Sequence, residues 1–264
     1  MIFKEMIDKV MVRLTELDDL LIDYYTNDKV FGVVLVGSSS HFYKDSNSDF
    51  DVEVIVDDDY YETIKDKKLL IRNSDTKLEI LILSYSNFLS KIDSSLSINH
   101  WPYEKGIVLY DRNGQFKTII EKIVSVDLNE LSKRLKLSYF ELLLLCSKIE
   151  RIKNTGEFLN LKLASAQIGV IASKLLFLMH KKWPPIIYWT SQNMLYLEDV
   201  DSEFKLLIME VLNKPTISNV NLLINAIESE LLSCGFDFWC DKEKVISEIS
   251  TDEYVVIREK YSFL

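Results

Sequence analysis

The stretch of residues 31–56 constrains the fold more than any other part of the sequence. An apolar run ends at Gly37-Ser38, a polar connection follows, and a second apolar run opens with Asp49-Phe50-Asp51. The two apolar runs predict strands. Because side chains alternate along a strand, Asp49 and Asp51 should share one face while Phe50 points into the core. Two carboxylates on one face predict a site for a hard divalent cation, which prefers oxygen ligands.

A third acidic residue, Glu79, lies in the apolar run 77–83, which also predicts a strand. Burying an unpaired charge there would be costly, so a metal ion or a neighbouring cation should accompany this carboxylate. The alternative is a salt bridge to Arg72 or Lys77 on an edge strand.

The glycine and serine that end the first strand suit a phosphate site. Gly37 permits a sharp turn into the serines at 38–40, and a short helix beginning there would present free N–H groups to an anion. The serines could also simply cap that helix. The two interpretations are compatible.

Periodicity along the chain predicts an α+β protein. Near Asp127 the pattern changes to long helices, which places a mixed β-sheet flanked by helices in residues 1–126 and a C-terminal helical bundle in residues 127–264. Predicted strands cover 30–36, 50–56, 69–72, 77–83 and a short segment ending at Asp111. Predicted helices cover 3–25, 85–96, 127–154, 157–181, 202–213, 218–234 and 241–261. The acidic run 57–59 is interpreted as the cap of a further helix.

Charge and composition exclude several classes of protein. The net charge of −10 disfavours a grip on a long nucleic acid, which is bound mainly through Lys and Arg. The charge still permits a nucleotide that arrives with magnesium, or a cationic small molecule. The most apolar stretch, 168–179, is shorter than a bilayer span, and the first residues lack the apolar run of a signal peptide. Three cysteines without zinc-type spacing indicate reduced thiols, so we expect a cytoplasmic protein without membrane contact.

Together, these motifs resemble the nucleotidyltransferase superfamily of DNA polymerase β. Gly37-Ser38, Asp49-Phe50-Asp51 and Glu79 match its pattern in order, and the helical second half is similar in architecture to kanamycin-type and lincosamide-type antibiotic nucleotidyltransferases. The resemblance implies that Asp49, Asp51 and Glu79 are catalytic and hold two Mg²⁺ ions. It also implies that Gly37, Ser38 and Lys174 contact the nucleotide, ATP. A lysine snorkelling at the rim of its helix is the alternative for Lys174.

The function implied by the resemblance is transfer of AMP from ATP to a hydroxyl of a small molecule, with release of pyrophosphate. An aminoglycoside or lincosamide is the expected acceptor, which would make the protein an antibiotic-resistance enzyme. Toxin-like transfer to a protein or tRNA is an alternative, and a non-catalytic nucleotide-binding regulator is another. Glu141 or Glu150 could supply a base. The aromatics Trp183, Tyr188 and Trp189 could line an acceptor pocket or simply pack their loop. No pattern in the sequence indicates an oligomeric state.

Overall fold

The computed structural model describes residues 17–41, 49–67, 69–194, 197, 202–241, 243–244 and 247. The chain divides into two compact units. The first, here called the sheet unit, comprises Met1–Ser94 and Pro102–Val124, and the second, the helical unit, comprises Ser95–Trp101 and Ser125–Leu264. The protein is therefore α+β, with a mixed sheet flanked by helices and a C-terminal helical region, as the sequence predicts.

The sheet unit is built on five strands in the order β3-β4-β2-β1-β5. Their bounds are Val30–Val36 (β1), Phe50–Val56 (β2), Leu70–Asn73 (β3), Leu78–Ser84 (β4) and Ile107–Asp111 (β5). The pair β2 and β4 is parallel, and the other three pairs are antiparallel. Each strand lies within about two residues of its predicted position, because the apolar runs that form them are short and sharply bounded.

Both faces of the sheet are covered. Leu17 and Leu21 of α1, described over residues 17–25, pack on one face. Phe88 of α3 (Tyr85–Leu89) and Phe116 of α4 (Phe116–Val124) pack on the other. The Phe116 ring lies so close to Gly32 that a Cβ there would stand 2.5 Å from it, which explains a glycine in the middle of a strand.

The two short helices beside the sheet begin at side-chain caps. In α2 (Asp58–Ile64), the Asp57 carboxylate accepts from the Tyr60 N–H at 3.1 Å, so the predicted cap is confirmed. The helix predicted over 85–96 is wrong in length, since α3 ends at Leu89. Ser90 turns its hydroxyl back onto the Asn87 carbonyl at 2.8 Å. Serine and aspartate, the residue types at positions 93–95, generally favour such local bonds over continuation of a helix.

Five α-helices of the helical unit have bounds within the described residues, and residues 243, 244 and 247 are helical too. Their bounds are Leu128–Asn154 (α5), Phe158–Met179 (α6), Thr190–Met194 (α7), Ser202–Asn213 (α8) and Ile217–Ser233 (α9). Asp127 caps α5, accepting from two backbone N–H groups. Most of the helix predicted over 241–261 and the first part of that over 3–25 lie outside the described residues.

Helix α6 is the centre of the helical unit's core. By length and composition alone this 22-residue helix could cross a membrane, so the apolar segment is longer than the stretch 168–179 indicates. However, 56% of its most apolar window is buried within the protein, in contact with α5, α8 and α9. Burial in this core accounts for its composition.

Candidate active site

Strand pairing brings the predicted motifs to one place. Asp51 lies opposite Glu79 in the parallel pair β2–β4, and opposite Val36 in the antiparallel pair β1–β2. Val36 is followed directly by Gly37. Three motifs that are separate in the sequence therefore meet at the same end of three neighbouring strands.

Gly37 is required where it stands, for two reasons. Its φ is +69°, a conformation that disfavours a side chain, and a Cβ added there would lie 2.6 Å from Asp51 Oδ2. The backbone therefore lies so close to the Asp51 carboxylate that only glycine fits at position 37. This packing against Asp51 connects the glycine-serine motif to the aspartate motif physically.

A single 3-10 turn follows, spanning Gly37–Ser40, and Ser38 in it is buried. The Ser40 hydroxyl donates to the Gly37 carbonyl at 2.8 Å, and the Ser39 hydroxyl donates to the Asp49 carbonyl. Ser39 thus holds the turn against Asp49, which directly precedes β2, and Ser40 closes the turn itself.

Glu79 is paired with Arg72, the residue opposite it on β3. Arg72 Nε donates to Glu79 Oε2 at 2.5 Å. The hydrogen bond and charge of Glu79 raise the pKa of Arg72, and the charges of Asp49 and Asp51 raise it further. The salt bridge that the sequence offers as an alternative is thus present, and all three predicted carboxylates act on the same guanidinium.

The three carboxylates do not converge as tightly as a metal cluster would. Among the described residues, the oxygens of Asp49, Asp51 and Glu79 do not all lie within 4.8 Å of one another. Glu79 is instead bound to Arg72. Arg72 contributes a positive charge beside Glu79.

A buried network that sequence reasoning missed lies one pleat along β2. Glu53 shares the face of Asp51, and its side chain accepts from Lys91 Nζ at 2.8 Å and from the Tyr103 hydroxyl. Burial, then the charge and hydrogen bond of Glu53, raise the pKa of Tyr103. The alternation of β2 indicates the face of Glu53, but its partners come from distant segments. Because the Lys91 ammonium neutralises it, Glu53 is a buried, paired carboxylate.

Lys174 lies in the helical unit, whereas the five other predicted site residues lie in the sheet unit. It is half-buried on α6 and lines a cavity of about 670 Å³, together with Lys205 and mainly apolar side chains. Burial lowers the pKa of Lys174, against an opposing effect of Glu141 and in the same direction as Arg134. Lys174 therefore borders a cavity that is partly open to solvent.

Packing accounts for one of the remaining candidates, Trp183. Trp183 is 6% exposed, stacks on His100 with ring centroids 3.8 Å apart, and donates through Nε1 to the Ser125 carbonyl at 3.3 Å. It therefore packs its loop. Tyr188 is 69% exposed, and Glu150 is also exposed.

No protein-family model matches the sequence, and no curated protein is significantly similar to it. Among solved structures, the chain is similar to a nucleotidyltransferase-like protein from Exiguobacterium sibiricum 255-15. The two are 13% identical with a TM-score of 0.46, and the match covers 83% of this chain and 74% of that one. The case for a function therefore depends on the site itself.

Proposed function

We propose that this protein is a metal-dependent nucleotidyltransferase that transfers AMP from ATP to a hydroxyl of a small molecule. The observation that carries the proposal is the register that places Asp51 beside both Gly37 and Glu79. The Gly37 turn packs onto the Asp51 carboxylate, and Glu79 lies on the neighbouring strand. This arrangement suits a triphosphate and the cations that accompany it.

The donor set fits magnesium. Asp49, Asp51 and Glu79 offer only carboxylate oxygens, and all three act on one cation, the Arg72 guanidinium. When bound there, two Mg²⁺ ions would supply charge neutralisation for the phosphates and acidify the acceptor hydroxyl. Since Arg72 holds Glu79, metal binding by Glu79 competes with this salt bridge.

In the reaction, the chain's own residues position the nucleotide and move one proton. Gly37 and Ser38 let the backbone approach the phosphates. The acceptor oxygen forms a bond to the α-phosphorus, the bond between the α-phosphorus and its bridging oxygen breaks, and pyrophosphate leaves. Glu79, released from Arg72, takes the hydroxyl proton. Positioning and charge neutralisation provide most of the rate enhancement, as in phosphoryl transfer generally.

The helical unit supports a particular type of acceptor. We assign acceptor binding to the helical unit, whose cavity is lined by mainly apolar side chains with Lys174 and Lys205. The described lining contains no Asp or Glu. A polycationic aminoglycoside would be repelled by the two lysines of this cavity. A largely apolar compound with few positive charges, of the lincosamide kind, therefore fits better.

The test follows the label from ATP labelled on the α-phosphate. The full chain is incubated with magnesium and, separately, with lincosamides, aminoglycosides, total tRNA and a protein extract, and Asp51→Asn serves as the control. We expect label on a lincosamide-like compound and none with the variant. Label only on tRNA or protein would replace the small-molecule proposal with the toxin-like one. No transfer despite metal-dependent ATP binding would indicate the regulatory alternative.

A further inference from the structure

A second group of potential metal ligands lies in the helical unit, apart from the carboxylates of the sheet unit. His180, Glu230 and Cys234 each offer one ligand atom, and these atoms lie within 4.8 Å of one another. His180 Nε2 is 2.9 Å from Glu230 Oε1, and Cys234 Sγ is 3.7 Å from the same oxygen. The His180 and Glu230 side chains are 18% and 23% exposed, so the group is shielded yet reachable.

The three residues meet because two helices end at the same place. His180 follows the last residue of α6, and Cys234 follows the last residue of α9. Glu230 lies one turn before Cys234, on the same side of α9. The C-terminal end of each helix carries a partial negative charge, and two such ends beside a carboxylate favour a cation.

The donor set differs from that of the sheet unit. Nitrogen, oxygen and sulfur together suit zinc, a borderline-soft ion, rather than magnesium. Ligand atoms about 2.0–2.3 Å from a tetrahedral zinc stand about 3–4 Å from one another, and the two measured separations lie close to that range. Little movement is needed to convert the hydrogen-bonded group into a coordinated one.

We propose that His180, Glu230 and Cys234 bind one zinc ion that joins the C-terminal ends of α6 and α9. Binding replaces the contact between His180 and Glu230 and releases the proton of the Cys234 thiol, leaving water as a fourth ligand. His180 and Glu230 are 50 residues apart in the sequence, which is why cysteine spacing does not predict the site.

Several groups around Cys234 affect the pKa of its thiol. Burial is the main cause that raises the pKa of Cys234, and Glu230 raises it too. A hydrogen bond with Ser233 and the charge of Lys181 lower it. A zinc ion bound here would displace the thiol proton, because zinc binds cysteine as the thiolate.

Cobalt provides the test because its thiolate complexes absorb light. Metal-free full-length protein, kept reduced, is titrated with Co²⁺. We expect one equivalent to produce a thiolate-to-cobalt charge-transfer band that zinc abolishes. Cys234→Ser should remove the band, and His180→Gln and Glu230→Gln should each weaken binding by more than about tenfold, since even residues that only orient a ligand contribute that much.

Three matched variants locate the site. Cys240→Ser and Cys146→Ser change the other cysteines, one exposed and one buried, and should keep the band. Asp49→Asn should also keep it, which separates this site from the magnesium site. Absence of a band in the wild-type protein, or its persistence in Cys234→Ser, would overturn the proposal. If Cys234→Ser fails to fold, undiminished cobalt affinity in His180→Gln and Glu230→Gln would overturn it equally.

Discussion

The sheet unit and the helical unit present their polar groups in opposite ways. In the sheet unit, Asp51 and Glu79 stand on adjacent strands, and backbone pairing fixes their distance. In the helical unit, Lys174 is one of a few charged groups in a largely apolar environment, placed there by the packing of helices from distant parts of the chain. A site on paired strands can therefore be predicted from local sequence motifs, whereas a site among helices depends on the whole fold.

The strongest test of this contrast removes a carboxylate at the start of β2. Asp51→Asn or Asp49→Asn keeps the side-chain volume but removes a charge that metal binding would use. We expect kcat/KM for pyrophosphate release to fall by about 1000-fold, or about 4 kcal/mol in transition-state stabilisation, with the fold intact. Asp75→Asn, in the exposed turn between β3 and β4, is the charge-matched control and should retain activity. Near-normal turnover in both active-site variants would rule out the assignment.

Features that depend on local sequence were predicted correctly, whereas features that depend on tertiary contacts were not. The five strands, the caps at Asp57 and Asp127 and the meeting of the glycine and aspartate motifs follow from alternation, turn residues and capping chemistry, all local properties. The length of α3 and the partners of Glu53 depend on tertiary context. Lys91 and Tyr103 are 38 and 50 residues from Glu53 in the sequence, and no local pattern predicts a contact over such separations.

Substitution of Glu79 distinguishes a catalytic role of this residue from a structural one. If it binds metal or takes the proton, Glu79→Gln should reduce activity nearly as much as Asp51→Asn does. Loss of its salt bridge should barely change the melting temperature, because the Arg72 side chain is 66% exposed. Arg72→Gln should lower the magnesium concentration needed for half-maximal activity, since the competing cation is gone. Full activity in Glu79→Gln would leave Glu79 only as the partner of Arg72.

Two glycines with the same backbone conformation test the contact at the site. Gly37 has φ +69° and Gly114 has φ +68°, but a Cβ at Gly37 meets Asp51 while one at Gly114 meets nothing within 4 Å. Each alanine variant should lose about 1–2 kcal/mol of stability through its backbone. Gly37→Ala alone should also lose about 100-fold in kcat, because the Asp51 carboxylate must move. Equal activity in the two variants would show that the approach of Gly37 to Asp51 does not matter for catalysis.

His41, next to the serine turn, should make stability depend on pH. Burial chiefly lowers its pKa from 6.5 to about 4, with Glu104 opposing and Lys105 assisting. Between these values the unfolded chain binds a proton that the folded chain does not, so stability present above pH 6.5 is lost as the pH falls towards 4. Urea unfolding across this range should show a shallower pH dependence in His41→Gln than in the wild-type protein. Parallel curves would contradict the burial effect.

The smallest effect should come from Lys174, and it bears directly on the contrast between the units. ATP should raise the melting temperature more in magnesium than in EDTA, since the carboxylates otherwise repel the phosphates. If Lys174 contacts the triphosphate, Lys174→Ala should weaken ATP binding about tenfold and reduce this shift, while the exposed Lys148→Ala leaves it unchanged. If Lys174 instead serves the cavity, it should behave like Lys205, which also lines that space. Lys174→Ala and Lys205→Ala would then alter the KM for the acceptor and leave the ATP shift intact. That outcome would leave the nucleotide entirely to residues of the sheet unit, where strand register rather than helix packing determines the geometry.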